Sequence, residues 1–267
     1  MIIEAVLAST LVGGLFSQVN SSMEIDEKAM KKNIKAFTKM AESENKLKRC
    51  QQNVVDKLII CAKRKKGILS AHVKMFEEQF EMIRKVEFKS GQGIEEIEKI
   101  DELKKKIDQS ISVEGINYNT SLRTPQTLVA FALFGIGGLM IKESEMSLKA
   151  ASKTVAQSNA VAAQVDSICI ALDGLAIHVE IVIDLLQRLG VFYMMSIKNM
   201  KEIINKNGLV SDKYSKSDID SINLSFALTK VIYRIINTPL VDVNGTIEQE
   251  SLRVVEEGNR LLKNIQG

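Results

Sequence analysis

The sequence predicts an all-α protein, an elongated antiparallel coiled coil or helical bundle with apolar segments at its head. The first observation is that the 267 residues include only two prolines. Proline interrupts helices, so its scarcity favours long helices, whereas an all-β sandwich needs a turn every few residues. The second observation is that apolar residues recur in steps of three and four over two very long stretches. With 45% hydrophobic and 26% charged residues, the composition is that of a folded chain.

Residues 1–22 form the first predicted unit, an apolar N-terminal segment. From Met1 to Phe16 it carries one acidic residue, and no Lys or Arg precedes the apolar run, which argues against a secretory signal. The run is short for a membrane span, which needs about 20 residues. Three interpretations stay open: an anchor that inserts partway into a bilayer, a buried core helix, or a segment that pairs with another apolar helix to cross a membrane. The predicted contact residues are Leu11, Gly13, Gly14 and Phe16.

Residues 23–123 are predicted to hold a long helix, Asp26 to about Phe88, and a short amphipathic helix, Ile94 to Ile111. At 1.5 Å per residue the long helix would reach about 90 Å, so it needs a partner along its length. Glycines 91 and 93 mark the break between the two helices. The apolar seam of the long helix is Met30, Ile34, Phe37, Ala41, Val54 or Val55, Leu58, Ala62, Leu69, Phe76, Phe80, Ile83 and Val86, with polar interruptions at Glu44, Gln51 and Lys65.

Residues 124–142 form a glycine-containing apolar segment between Arg123 and Lys142. Positions 124–141 are eighteen residues without a charge, which as a helix would extend about 27 Å, close to the hydrocarbon thickness of about 30 Å. Glycine weakens a water-soluble helix by about 1 kcal/mol relative to alanine, but it permits close helix packing in a bilayer. The alternative is a buried hairpin tip or core helix. The predicted membrane or oligomer contacts are Leu128, Phe131, Phe134, Gly135, Gly137, Gly138 and Leu139.

Residues 143–207 are predicted to form the second long helix, from Glu143 to about Asn205. Its seam residues recur at intervals of seven, which favours supercoiling with another helix, and the equally long first helix is the natural partner in an antiparallel pairing. The polar residues Asn159 and Asp166 are interpreted as seam contacts that set the register. The recurring residues are Leu148, Val155, Ala162, Cys169, Ala176 and Ile183.

Residues 208–267 are predicted to form a C-terminal helical pair that covers one end of the bundle. Gly208 is placed to end the preceding helix in the left-handed conformation. Ser217 is the predicted cap of a helix from Asp218 to Asn237, which ends before Pro239. The pattern from Thr246 to Gln249 predicts a capping box for the last helix.

No motif of enzyme chemistry is present, so the sequence predicts no enzyme, no cofactor, no metal site and no small-molecule substrate. His72 and His178 are expected on helix seams, and the three cysteines, Cys50, Cys61 and Cys169, are expected as reduced thiols. A net charge of +3 and the lack of a stacking-aromatic pattern argue against a nucleic-acid partner. The basic run from Lys63 to Lys66 is interpreted as a solvent-facing stripe.

Three elements resemble a family of bacterial helical proteins with a glycine-rich apolar centre, and the likeness covers nearly the whole chain. They are the apolar N-terminus before a long charged helix, the Gly135–Gly138 insert, and the run Thr-Pro-Leu-Val-Asp-Val-Asn-Gly-Thr-Ile-Glu-Gln-Glu-Ser that ends at Ser251. The glycine-rich centre is usually longer in that family, which has no assigned activity, so the resemblance supplies no site residues. The architecture is also similar to that of α-helical pore-forming toxins, which place an apolar hairpin at one end of long helices, although no residue motif carries this likeness.

We therefore expect a non-enzymatic, membrane-associated helical protein that anchors or oligomerises in a bilayer through its apolar segments, with pore formation as one outcome. Its expected partners are a lipid bilayer, copies of the same chain, or a protein partner bound through the long helices. The expected localisation is at a membrane and otherwise cytoplasmic. The alternative function is a soluble oligomeric scaffold, adaptor or structural subunit that binds partner helices. The antiparallel arrangement leaves open whether the two apolar segments meet.

Overall fold

A computed structural model describes residues 27–88, 128–129, 132–133, 158–242 and 246–267. The predicted all-α class is confirmed: these ranges contain no β-strand, only an isolated bridge between Val241 and Ile247. The N-terminal segment and the predicted helix from Ile94 to Ile111 lie outside the described residues. The α-helices are α1 (Glu27–Gly67), α2 (Lys74–Ile83), α3 (Ser158–Asn207), α4 (Lys216–Asn237) and α5 (Gln249–Gln266).

The helices α1 and α2 form one continuous rod, as the proline-free sequence predicts. They are joined by a π-helical turn, Ile68–Val73, and the backbone stays in the right-handed helical region at both ends of this turn. A π-turn inserts one extra residue into the helical repeat. Consequently the buried face steps by five residues, from Ile68 to Val73, before the usual spacing returns at Phe76. The turn keeps the apolar face of the rod directed at the core.

The second long helix, α3, is the centre of the bundle, because it contacts α1, α2, α4 and α5. Its buried positions follow steps of three and four, as the sequence predicts, whereas the supercoil itself stays a prediction. A second buried row lies beside the first, which an isolated two-helix pairing would not require. The first row is Val165, Cys169, Leu172, Ala176, Val179, Leu186, Gly190, Tyr193, Ile197, Met200 and Ile204, and the second includes Leu175, His178, Val182, Leu185 and Leu189.

The two long helices run in the same direction, so the predicted antiparallel pairing is wrong. Residue numbers on the two helices increase together from one contact to the next. The contacts are Lys46 Nζ to Asp166 Oδ1 at 2.7 Å, Lys57 Nζ to Glu180 Oε1 at 2.8 Å, and Arg64 Nη2 to Gln187 Oε1 at 3.2 Å. The predicted seam position of Asp166 is also wrong, because this carboxylate is exposed and pairs with Lys46 beside the buried row.

The intervening chain is long enough to allow the parallel arrangement. An antiparallel pair can be joined by a short loop, whereas a parallel pair needs a connection that returns along the bundle. Here α2 ends at Ile83 and α3 begins at Ser158, which leaves enough chain for the return. Residues 132 and 133 contact the middle of the bundle, between the two ends that this connection joins.

The C-terminal helices pack along the side of α3 instead of covering an end. Asn207 at the end of α3 donates to Asp218 near the start of α4, while Thr229 donates to the Tyr193 hydroxyl further back. These contacts make α4 antiparallel to α3. In turn, α5 contacts α3 near His178 through Ser251.

The helix ends confirm two capping predictions and correct two. Gly208 has φ of +64° and its N–H donates to the Ile204 carbonyl, as expected of a C-terminal cap, and α4 ends before the Thr238–Pro239 pair as predicted. The cap of α4 is Ser215, not Ser217, because Ser215 and Asp218 form a reciprocal capping box. The predicted box at Thr246 is absent: α5 begins after Glu248 without a side-chain cap, because the Thr246 N–H instead donates to the Asp242 carboxylate at 2.8 Å.

Helix α5 approaches α3 closely at Gly258, which is buried. A Cβ atom at this position would lie 2.9 Å from Leu185 Cδ2 and 3.4 Å from Ile235 Cδ1. Leu185 is itself buried, so a Cβ atom here would require its side chain to shift within a packed core. Glycine has a low helix propensity, but the close packing at this position requires a residue without a side chain.

Candidate functional site

The described part of the predicted membrane segment lies inside the bundle. Of the predicted contact residues, only Leu128 falls within the described ranges, and it is 9% exposed. Val129, Ala132 and Leu133 beside it are also buried and belong to the same core as the long helices. The remaining predicted contacts lie outside the described residues: Leu11, Gly13, Gly14, Phe16, Phe131, Phe134, Gly135, Gly137, Gly138 and Leu139.

A fully buried lysine attaches this segment to the bundle. The Lys65 Nζ donates to the carbonyl of Ala132 at 3.0 Å and to the carbonyl of Ile236 at 3.1 Å. Ile236 is in the last turn of α4, where helix carbonyls lack an intrahelical donor and a nearby cation is favourable. The amine therefore joins α1, the apolar segment and the end of α4. A second link is the Leu240 N–H, which donates to the Leu133 carbonyl at 2.6 Å.

The buried position of Lys65 corrects the interpretation of its basic run. Lys63 and Arg64 are exposed as predicted, but Lys65 points into the core. Burial lowers the pKa of the Lys65 amine, because a charge is costly away from water. Burial also raises the pKa of the Cys61 thiol one helical turn away. The sequence already indicates that Lys65 is buried, because this residue interrupts the apolar seam at a position that faces the core.

Both histidines contact the core. The His178 Nε2 lies 2.7 Å from the Ser251 Oγ, which joins α3 to α5. Burial lowers the pKa of His178, and the charge of Lys65 lowers it further. His72, in the π-turn, lies edge-on to Tyr193 with ring centres 6.2 Å apart, and burial lowers its pKa as well. Neutral imidazole is therefore the favoured form in the folded protein.

We expect the protein to lose stability as the pH falls from 7.5 to 5. Below the unfolded histidine pKa of about 6.5, the unfolded chain binds more protons than the folded one, so acid favours unfolding. Thermal unfolding at several pH values measures the effect, and His178→Gln should show a smaller decrease than the wild type. Asp218, whose pKa is lowered by its bonds to Ser215, contributes only at lower pH. Equal pH profiles for the wild type and His178→Gln would show that His178 does not cause the loss of stability in acid.

A row of exposed apolar residues lies on one face of α3, and we call it the apolar stripe. At 100° per residue its members fall within about 80° of one another. It spans roughly 37 Å along the helix. The stripe consists of Ile170 (73% exposed), Ile177 (57%), Ile181 (45%), Val191 (55%) and Met195 (61%). Such a large apolar row at the surface is typical of a contact with another molecule.

Three exposed charged residues, Asp173, Asp184 and Arg188, fall within the same 80° arc as the stripe, and one further apolar residue borders it. Asp184 and Arg188 lie on the same face as the stripe, with Arg188 Nη1 3.6 Å from Asp184 Oδ2. On α1, Ile60 is 52% exposed and lies between Lys57 and Arg64, which both contact α3. Ile60 therefore borders the stripe. The stripe was not predicted from the sequence. The seven-residue step from Ile170 to Ile177 indicates it, but α3 also has a buried row with the same spacing, and the two rows cannot be distinguished by spacing alone.

The described residues include neither a helix suited to cross a membrane nor a cluster of metal-binding side chains. None of their helices combines the length and apolar character that a membrane crossing requires. Within the same part of the chain, no group of three His, Cys, Asp or Glu side chains is arranged to hold a metal ion.

Comparison with protein-family models, curated proteins and solved structures gives no match to this chain. The resemblance drawn from the sequence therefore receives no support from these comparisons.

Proposed function

We propose that the protein is a non-enzymatic scaffold that assembles by packing the apolar stripe against the same stripe of a second copy. The observation that carries this proposal is a row of exposed isoleucine, valine and methionine, roughly 37 Å long, on the helix that all the other described α-helices contact. Removing this apolar surface from water favours association by roughly 25 cal/mol per Å².

From Ile177 to Met195 the residue order of the stripe is self-complementary when two copies pack antiparallel, whereas Ile170 would lie at the level of Glu202. A two-fold axis at the level of residue 186 would bring each residue of one copy level with a residue of the other copy. The two residues of such a pair are equally far from position 186, one before it and one after it. Ile177 then meets Met195, and Ile181 meets Val191. Asp184 of each copy meets Arg188 of the other, so opposite charges face each other at the centre. Two-fold pairing through one surface is the commonest form of protein oligomer.

The test is the dependence of mass on concentration, measured by sedimentation equilibrium without detergent. We expect a monomer–dimer equilibrium for the wild type and a monomer for Ile181→Glu, which would bury an unpaired carboxylate at the interface. Met82→Glu changes a similarly exposed residue on α2, outside the stripe, and should still dimerise.

A charge exchange tests the proposed antiparallel order. Asp184→Arg alone should weaken the dimer at least tenfold, because arginines of both copies then face one another, and adding Arg188→Asp should restore it. A wild type that stays monomeric up to high concentration would reject the proposal. A dimer unaffected by Ile181→Glu would place the interface elsewhere.

A second candidate function is association with a membrane, favoured by the uncharged stretch of eighteen residues between Arg123 and Lys142. The burial of Leu128, Val129, Ala132 and Leu133 requires that this part of the segment leave the core before it contacts lipid. The Lys65 amine would then lose its Ala132 acceptor. Release of the segment is therefore the step on which this function depends.

Liposome flotation and dye release test the membrane function. We expect wild-type protein to float with vesicles and release dye, and Gly137→Leu to release less, because a large side chain prevents close packing of helices in the bilayer. Protein that remains entirely with the aqueous fraction and releases no dye would reject this candidate. The self-association test is independent, because it uses neither lipid nor detergent.

A further inference from the structure

The parallel register of the long helices brings two cysteines from distant parts of the chain to the same level. Lys46 Nζ and Asp166 Oδ1 are 2.7 Å apart and fix the register of α1 against α3. Cys50 follows Lys46 by four residues, and Cys169 follows Asp166 by three. Because both helices run in the same direction, each cysteine lies one helical turn beyond the ion pair. An antiparallel pairing would have separated them.

The two thiols are in contact and are not part of any existing disulfide. Both are free cysteines, and the Cys169 thiol is hydrogen-bonded to the sulfur of Cys50. Cys169 is buried in the row that faces α1, whereas Cys50 is half-buried and packs at the edge of the core. The arrangement gives one thiol access to a small solute and keeps the other behind it.

We propose that Cys50 and Cys169 form a redox modification site, at which a peroxide converts the two thiols into a disulfide that joins α1 to α3. The site goes beyond the proposed assembly function and does not depend on it. Cys61 is excluded as a partner of Cys50, since eleven residues of helix separate them by about 16 Å, well beyond disulfide geometry.

The chemistry assigns a different role to each cysteine. Burial, together with the hydrogen bond to Cys50, raises the pKa of the Cys169 thiol to about 12. The half-buried Cys50 is the thiol that a peroxide in solution can reach, so it is the one that attacks. The Cys50 sulfur takes one peroxide oxygen as the O–O bond breaks, giving a sulfenic acid and one water. The Cys169 sulfur then attacks the Cys50 sulfur, the S–O bond breaks, and the hydroxyl leaves with the thiol proton as a second water. Two thiols are oxidised and one peroxide is reduced to two waters.

The experiment exposes the full chain to equimolar hydrogen peroxide, blocks the remaining thiols and maps the peptides by mass spectrometry. We expect a peptide pair joined through Cys50 and Cys169, a monomer that migrates faster on a non-reducing gel, and reversal by dithiothreitol. The disulfide should raise the thermal midpoint by roughly 5–10 °C, because it closes a loop of about 120 residues. Cys50→Ser and Cys169→Ser should each lose the fast monomer, and Cys61→Ser should keep it.

Several outcomes would overturn the proposal. One is a disulfide that includes Cys61; another is a dimer joined through Cys50 of two chains. A third is over-oxidation of Cys50 while the Cys169 thiol persists. The wild-type peptide map decides among these outcomes without relying on the folding of any variant.

Discussion

Replacing Lys65 with alanine is expected to lower the free energy of unfolding by about 3–5 kcal/mol. The substitution leaves a cavity where the side chain now fills the core, and it removes the donor of two buried carbonyls, Ala132 and Ile236. A buried acceptor without a partner costs about 1–3 kcal/mol. Chemical denaturation measured by circular dichroism gives the change.

Two matched variants separate the causes of that loss. Lys65→Met retains most of the volume but not the hydrogen bonds, so we expect a smaller loss of about 1–3 kcal/mol. Lys63→Met alters an exposed lysine in the same basic run and should change stability by less than about 0.5 kcal/mol. If Lys65→Met were as stable as the wild type, the amine would contribute nothing beyond packing. Hydrogen exchange of residues 132 and 133 should also increase in Lys65→Ala, because the bond from Lys65 to the Ala132 carbonyl is lost.

Replacing Phe226 with alanine is expected to be similarly destabilising, by about 3–5 kcal/mol. The ring is fully buried and joins α4 to α2, with ring centres 5.9 Å from Phe76 and 5.7 Å from Phe80 in edge-to-face arrangements. Such pairs contribute about 0.5–1.5 kcal/mol beyond the burial of their surface. Urea denaturation measures the difference.

The control for Phe226 is Phe192, a half-buried ring on α3. Phe192→Ala should cost clearly less, because its ring is already partly in water. The double variant Phe76→Ala with Phe226→Ala should be less destabilising than the sum of the single variants, since both remove the same ring contact. Strict additivity would show that the two aromatic residues act independently.

The sequence alone was sufficient to predict the helices and many of the residues that they bury. The scarcity of proline and the three–four spacing predict the long rods, and Gly208 and Pro239 mark two of their ends. These signals are local, because a helix depends on residues within one or two turns. The cap at Ser215 was misplaced for the same reason, since Ser215 and Ser217 are equally suitable by residue type and only the reciprocal bond to Asp218 distinguishes them.

Only the tertiary structure decided how the rods pair and which apolar row of α3 is buried. A seven-residue apolar repeat looks the same whether its partner runs parallel or antiparallel. The direction depends on the connection between residues 83 and 158, and a local apolar repeat does not specify how such a connection runs. Cys169 and Ile170 are neighbours with the same seven-residue recurrence, yet Cys169 faces α1 and Ile170 is exposed. Packing against the other helices makes that choice, because burial is a property of the whole assembly of side chains.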